Sequence, residues 1–231
     1  MKRIFITVIC ILVAVDILQC SGGDSTRNPD LVAYWKFDDL TQNNETAPDA
    51  TGNGHDGRVH GQKLVDGVIG KAMLFEGLDQ IVETGDLGLK APATVAFWLK
   101  TDDLFRDRHF FSQTEGSKKQ AGALRLDGVQ VEVWDGSEWQ ALINRDMRIK
   151  TWMHIAVVFD LGGKTLGYLN GDRQRLTKCG FDFDGVKAAI GAPFIGETGN
   201  SYTGELDDFR IYSRALSEDD IKALYMQGAN R

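Results

Sequence analysis

An all-β sandwich or barrel closed by a single C-terminal helix is the fold class this sequence predicts, and three observations carry it. From residue 30 onward, short runs of alternating apolar and polar residues recur, each broken by a turn signal. The chain holds 26 glycines in 231 residues, above the roughly 7% of average usage, as a chain with many turns requires. Only one segment reads as a helix, and it is the last.

The strands are taken in order. LVAYWKF (31–37) opens the series, and AMLFEG (72–77) and TVAFWLKT (94–101) follow with the same alternation. GALRL and VQVEVW lie around Asp127-Gly128, a dipeptide that signals a two-residue hairpin. MHIAVVFD (153–160) and TLGYLNG (165–171) form a second hairpin across LGGK, and DDFRIY (207–212) is the last strand. In SEDDIKALYMQG, Ser217 is the N-cap, Asp220 stands three residues on, and Gly228 is the expected stop. Ile221, Leu224 and Tyr225 form the face that packs on a sheet. No repeat of fixed period and no linker follows residue 30, so residues 30–231 read as one domain.

The N-terminus reads as an export signal. Lys2 and Arg3 precede the apolar run 4–15, which is too short for a stable membrane span and is followed by Asp16. ILQC (17–20) resembles a bacterial lipoprotein signal in which Cys20 becomes the lipidated first residue, although Gln19 departs from the small residue usual there. On that reading residues 1–20 are the signal and 21–29 a flexible tether to the cell envelope; ordinary cleavage nearby is the competing reading. Cys179 is then the one cysteine of the folded part, so no internal disulfide forms there, and with no base or CxxC partner nearby it reads as structural.

A net charge of −7 with no basic cluster excludes phosphate-backbone binding. The histidines offer no zinc spacing: His55 and His60 lie on a turn-rich segment without partners, and His154 reads as a hydrogen-bonded sandwich residue. There is no nucleophile elbow, and GNG lacks the Lys-Ser/Thr of a phosphate loop.

Seven stretches, LVAYWKFDD, DATGNGHDG, GVIGKAMLFEG, TVAFWLKT, WMHIAVVFD, GYLNGD and GELDDFRIYSRALSEDDIKALY, together resemble a laminin-G-like, concanavalin A-like lectin/glucanase domain over residues 30–226. The resemblance implies a jelly roll of two stacked antiparallel sheets, used as a carbohydrate- or protein-binding module on exported proteins, many of which bind calcium. It also implies that the first and last strands lie side by side, bringing FDD (37–39) close to Asp207.

The adjacent Asp207 and Asp208 decide between chemistry and structure. A glycosidase needs two carboxylates on one face, whereas successive residues of a regular strand point to opposite faces. The related glucanases carry Glu-x-Asp-x-x-Glu; the nearest stretch here, EVWDGSE (132–138), has the wrong spacing and runs into a turn. Asp207 shares the phase of Phe209 and Ile211, which places it on the core side near the rim, where a carboxylate needs donors or a metal. With Asp38 beside it, and Asp39 in reserve, the oxygens suit Ca²⁺. DATGNG (49–54) spaces Asp49 and Asn53 as a calcium loop does, although the twelfth position is His60; locally the same residues also make an ordinary Asx turn. The candidate cation set is therefore Asp38, Asp49, Asn53 and Asp207.

The candidate ligand face is the hairpin. Leu124, Leu126, Val129, Val131 and Val133 share the core side, which leaves Arg125, Gln130, Glu132 and Trp134 together on the other. An indole beside donors is what a sugar ring needs, and Trp139 in the following loop adds a second platform; burial of Trp134 under a loop is the alternative. The sequence thus reads as an exported, lipid-anchored β-sandwich that binds glycans at the cell surface. A protein-binding or envelope-scaffold role and a glycan hydrolase or lyase are the other readings.

Overall fold

The computed structural model describes residues 28–61, 63–77, 80–113, 121–144, 146–193 and 200–230. The signal segment, Cys20 and most of the tether lie outside the described residues. Among those described, no helix is long and apolar enough to cross a membrane.

Among the described residues eighteen strands, numbered along the chain, form two eight-stranded antiparallel sheets and a small pair. Sheet A runs β15 (Asp172–Lys178), β14 (Lys164–Leu169), β13 (Met153–Phe159), β8 (Ala93–Thr101), β18 (Thr203–Tyr212), β5 (Lys71–Glu76) and β4 (Lys63–Asp66), with β1 (Leu31–Trp35) also on β18. Sheet B runs β12 (Trp139–Asn144), β11 (Gln130–Trp134), β10 (Leu124–Asp127), β9 (Arg108–Gln113), β17 (Lys187–Ile190), β6 (Val82–Asp86), β3 (Gly57–Val59) and β2 (Thr46–Ala47). β7 (Leu89–Lys90) pairs with β16 (Asp182–Phe183). This is the concanavalin A-like sandwich that the sequence predicts.

The inner faces meet in an aromatic core. Phe209 of β18 stacks on Phe97 of β8 at 4.8 Å between ring centroids and lies 5.9 Å from Phe111 of β9 in the opposite sheet. Such ring pairs add about 0.5–1.5 kcal/mol each beyond the area they bury.

β18 departs from the expected alternation. β5 pairs with its first half, Thr203–Leu206, and β1 with its second, Phe209–Tyr212. At the handover the ladder to β8 slips between Asp207 and Arg210, and Asp208 takes a positive φ of 52°. The bulge inserts one residue and reverses the phase. Leu206, Phe209 and Ile211 all join the core between the sheets, so Asp207 faces away from it, correcting the core-side placement expected from strict alternation.

On that outer side, α1 (Glu218–Ala229) buries Ile221 and Leu224 against Ala96, Ala156 and Tyr212. Ser217 and Asp220 form the expected capping box. Gly228 does not stop the helix. It lies inside it, buried, where a Cβ would come within 2.5 Å of Val68 and 2.6 Å of Trp98. Close approach, not termination, is why this position is glycine.

The Asp127-Gly128 hairpin forms one residue later than expected. Asp127 pairs with Gln130, so the two-residue loop is Gly128-Val129, with Gly128 supplying the positive φ of 63°. Val129 is a turn residue and not part of the core face.

Candidate functional site

The hairpin register puts Arg125 opposite Glu132, and the next hairpin puts Trp134 opposite Trp139. All four point away from the core, because Leu124, Leu126, Val131 and Val133 fill it. Trp139 opens β12 and is not in the loop the sequence suggested. That loop is tied by Asp135, whose Oδ1 accepts the N–H groups of Ser137 and Glu138, both at 2.8 Å. These donors hold the Asp135 carboxyl down at about 2.

Arg125 organises the face. Its Nε donates to Glu132 Oε2 at 2.9 Å and its Nη1 to Asp107 Oδ1 at 2.6 Å, while the guanidinium lies 4.1 Å from the centre of the Trp139 ring. His109 Nε2 is 3.0 Å from the same Asp107 oxygen; an ionised carboxylate only accepts, so Nε2 carries the proton. The His109 bond, with Arg125 adding to it and burial opposing, holds the Asp107 carboxyl well below the usual carboxylate range. His109 also meets the Trp139 ring edge-on at 5.2 Å, and Trp134 meets it at 5.4 Å. The half-buried indoles are thereby locked beside a hydrogen-bonded charge network, so little side-chain freedom remains to be lost on binding.

Four of the five sequence-predicted ligand residues, Arg125, Glu132, Trp134 and Trp139, are brought together. Gln130 lies at the turn end of the hairpin, with its amide on Asn144 Oδ1 at 3.1 Å. Asp107 and His109 were missed by sequence reasoning. Their i, i+2 spacing beside the RHFF run was the available signal, but Asp107 precedes β9 and takes a positive φ of 63°, so strand alternation alone does not pair it with His109. Cys179 is buried, its thiol pushed up to about 12 by burial, and its Sγ donates to the Trp134 carbonyl at 3.2 Å. It supports the hairpin from behind.

The four candidate cation ligands lie at two turns. Asp49 Oδ1 accepts the N–H groups of Tyr34 and Thr51, both at 3.0 Å, and its Oδ2 accepts from His55 at 3.2 Å. Asn53 Nδ2 donates to the carbonyls of Leu31 and Val32 at 3.1 and 2.9 Å. These two side chains pin the 49–56 turn to β1, as an Asx turn does.

Asp38 and Asp207 instead grip the 67–71 turn from opposite sides. Asp38 Oδ1 accepts the Lys71 N–H at 2.8 Å, and Asp207 Oδ2 accepts those of Val68 and Ile69 at 2.8 and 3.0 Å. Asp38 and Asp207 therefore contact the same turn through different N–H groups. Asp207 is fully buried, and its Oδ1 has no hydrogen-bond partner among the described residues. Asp208 accepts from the Tyr34 hydroxyl and pairs with Arg210 at 3.2 Å, and Arg210 caps the Tyr34 ring at 4.3 Å. Among the described residues no three or more His, Cys, Asp and Glu side chains cluster as a metal site.

His154 also departs from expectation. Its backbone exchanges hydrogen bonds with Asn170, but its ring Nδ1 is buried without a partner among the described residues.

The comparisons with known proteins agree with the fold. A family model described as the concanavalin A-like lectin/glucanases superfamily matches residues 76–222. The structure is similar to domain 4 of AbnA, a GH43 extracellular arabinanase from Geobacillus stearothermophilus, in complex with arabinotriose: TM-score 0.70, 22% identity, 85% of this chain and 98% of that one. It is also similar to Trypanosoma rangeli sialidase, at TM-score 0.66 and 14% identity, where the match covers 87% of this chain but only 33% of the sialidase. A third resemblance is to the binding domain of Paraclostridial Mosquitocidal Protein 1, at TM-score 0.63 and 20% identity, covering 85% and 52%. Among curated protein sequences none matches this chain.

Proposed function

The chain belongs to the concanavalin A-like lectin/glucanases superfamily, and from that premise we propose that it is a carbohydrate-binding module acting outside the cytoplasm. The observation that carries the reading is the solvent side of β9–β12, where Trp134 and Trp139 are fixed against each other beside Arg125, Glu132 and Asp107. An indole offers the flat apolar surface that sugar C–H groups need, and the charged groups at its edge suit hydroxyls. The likeness to a domain solved with arabinotriose supports the same ligand class. The sequence features at Lys2, Arg3 and Cys20 support export and anchoring at the envelope.

The test is isothermal titration of the whole chain with arabinotriose and a panel of plant and bacterial oligosaccharides. Trp139→Ala should weaken binding at least tenfold and shift the melting temperature little, since the ring is only half-buried. Arg125→Ala is a poorer probe, because it leaves Glu132 and Asp107 without their cation in a partly buried site. If Trp139→Ala binds every saccharide as the unaltered chain does, this face is not the site. Anchoring is read separately: Cys20→Ser should move the protein from the membrane fraction to the soluble one.

A further inference from the structure

A second aromatic site lies on the opposite sheet. Across the outer side of sheet A, His154 pairs with Trp98 and Trp98 with Asp207, one row over three strands. The last turns of α1 lie over this row: Tyr225 stacks on Trp98 at 5.7 Å, and Gly228 packs against the Trp98 ring with no room for a Cβ. Between α1, the Gly67–Val68 corner, Trp152 and Asn170 is an open cavity of about 420 Å³, within the range of small-molecule sites.

The lining selects the ligand. Trp98, Trp152 and Tyr225 supply aromatic surface and Asn170 an amide. A cationic ligand is disfavoured, because the Lys100 ammonium, held by Glu205, already occupies the cation position 5.1 Å from the centre of the Trp152 ring. A purely apolar ligand is disfavoured too. The Asn170 side-chain amide and the Gly67–Val68 backbone belong to the lining, and polar groups there favour an occupant with a polar edge over a purely apolar one. A neutral ring with an apolar face and a polar edge satisfies all three conditions.

We propose that this cavity is a second saccharide subsite, which takes one neutral sugar ring against Trp152 and Tyr225. It shares the ligand class of the β9–β12 face but none of its residues, so either site can fail without the other.

The five tryptophans separate the two sites in one experiment. The whole chain labelled with ¹⁵N-tryptophan gives five indole N–H signals, assigned by single Trp→Phe substitutions. Arabinotriose, methyl β-galactoside and methyl α-glucoside are titrated to millimolar concentrations, with tetramethylammonium as the cationic control. The expected result is saturable movement of the Trp98 and Trp152 signals with at least one sugar, and a tenfold or greater loss of affinity there in Trp152→Ala. Ala229→Trp, an exposed helix-end substitution that fills the cavity, should produce the same loss should Trp152→Ala not fold. Movement confined to Trp134 and Trp139 supports the β9–β12 site and overturns this one. Stronger binding of tetramethylammonium than of any sugar, or no saturable movement of Trp98 and Trp152, also overturns it.

Discussion

At the scale of single residues, Asp207 is where the fold most changes chemistry. Burial pushes its carboxyl from 3.8 up to about 7, with the Asp208 charge adding and the Ile69 and Val68 N–H groups opposing. Between those values the native state holds a proton that the unfolded chain has lost, so the group's contribution to stability falls as pH rises through that window. The loss is at most ~4 kcal/mol, at about 1.4 kcal/mol for each tenfold change in proton activity. His154 acts with the opposite sign: burial pushes it down to about 3 from 6.5, so its contribution rises with pH over much of the same range. The whole-chain curve therefore masks both, and a difference measurement isolates Asp207. Asp207→Asn keeps an acceptor for Val68 and Ile69 but cannot ionise; its melting temperature relative to the unaltered chain should climb from pH 4 to pH 8. A difference independent of pH would refute the burial argument. The expectation from the sequence that Asp38, Asp49, Asn53 and Asp207 hold calcium is tested on the same variant. Millimolar Ca²⁺ against chelator should then stabilise the unaltered chain, by ~2.7 kcal/mol at a hundredfold excess over Kd, and have no effect on Asp207→Asn. Identical melting curves for the unaltered chain with and without Ca²⁺ end that expectation.

At the scale of elements, the C-terminal helix inverts a familiar rule. Alanine in place of a helical glycine normally gains about 0.5–1 kcal/mol. At Gly228 the new methyl would meet Val68 and Trp98 at 2.5–2.6 Å, so Gly228→Ala should lower the melting temperature and displace α1 from Trp98, read as increased Trp fluorescence exposure to quencher. A stabilised variant would show that the helix end moves freely. The strands themselves were legible in the sequence: residues 94–101 and 153–160 are short apolar runs bounded by turn signals, because β8 and β13 are buried on both faces. The sides of the hairpin were legible because apolar and polar residues alternate there, but not its register: an Asp127-Gly128 loop would put Arg125 opposite Gln130, and the observed Gly128-Val129 loop puts it opposite Glu132. The bulge at Asp208 was not. It is made by a non-glycine residue at positive φ, and nothing in DDFRIY marks the inserted position; one unmarked residue reversed the side assigned to Asp207. The cavity under α1 was hidden because Trp98, Trp152 and Tyr225 come from three segments that only tertiary packing brings together.

At the scale of the whole molecule, what makes the two sheets one cooperative structure is a run of aromatic rings that crosses between them and back. Trp35 and Phe97 of sheet A meet Phe209 at 6.1 and 4.8 Å, and Phe209 meets Phe111 of sheet B. Phe111 continues to Phe183 at 4.9 Å, Phe183 to Phe181 at 4.8 Å, and Phe181 returns to Phe159 of sheet A at 4.5 Å. Phe209 is one node at which the sheets meet, as Phe97 is through Phe110 of sheet B at 5.2 Å, and it lies on the strand that also carries the bulge. Removing it opens a cavity among Trp35, Phe97 and Phe111, which the surrounding strands can close only in part. Phe209→Ala should therefore lose ~3–5 kcal/mol, a fall in melting temperature on the order of 10 °C for a chain of this size. Phe105→Ala, at a ring 64% exposed, should fall within about 0.5 kcal/mol of the unaltered chain. If the seam couples the sheets, Phe209→Ala will still melt in one transition, with far-ultraviolet circular dichroism and tryptophan fluorescence superimposed. Separation into two transitions would mean that the sheets are held together elsewhere, and that the aromatic run fills space without coupling them.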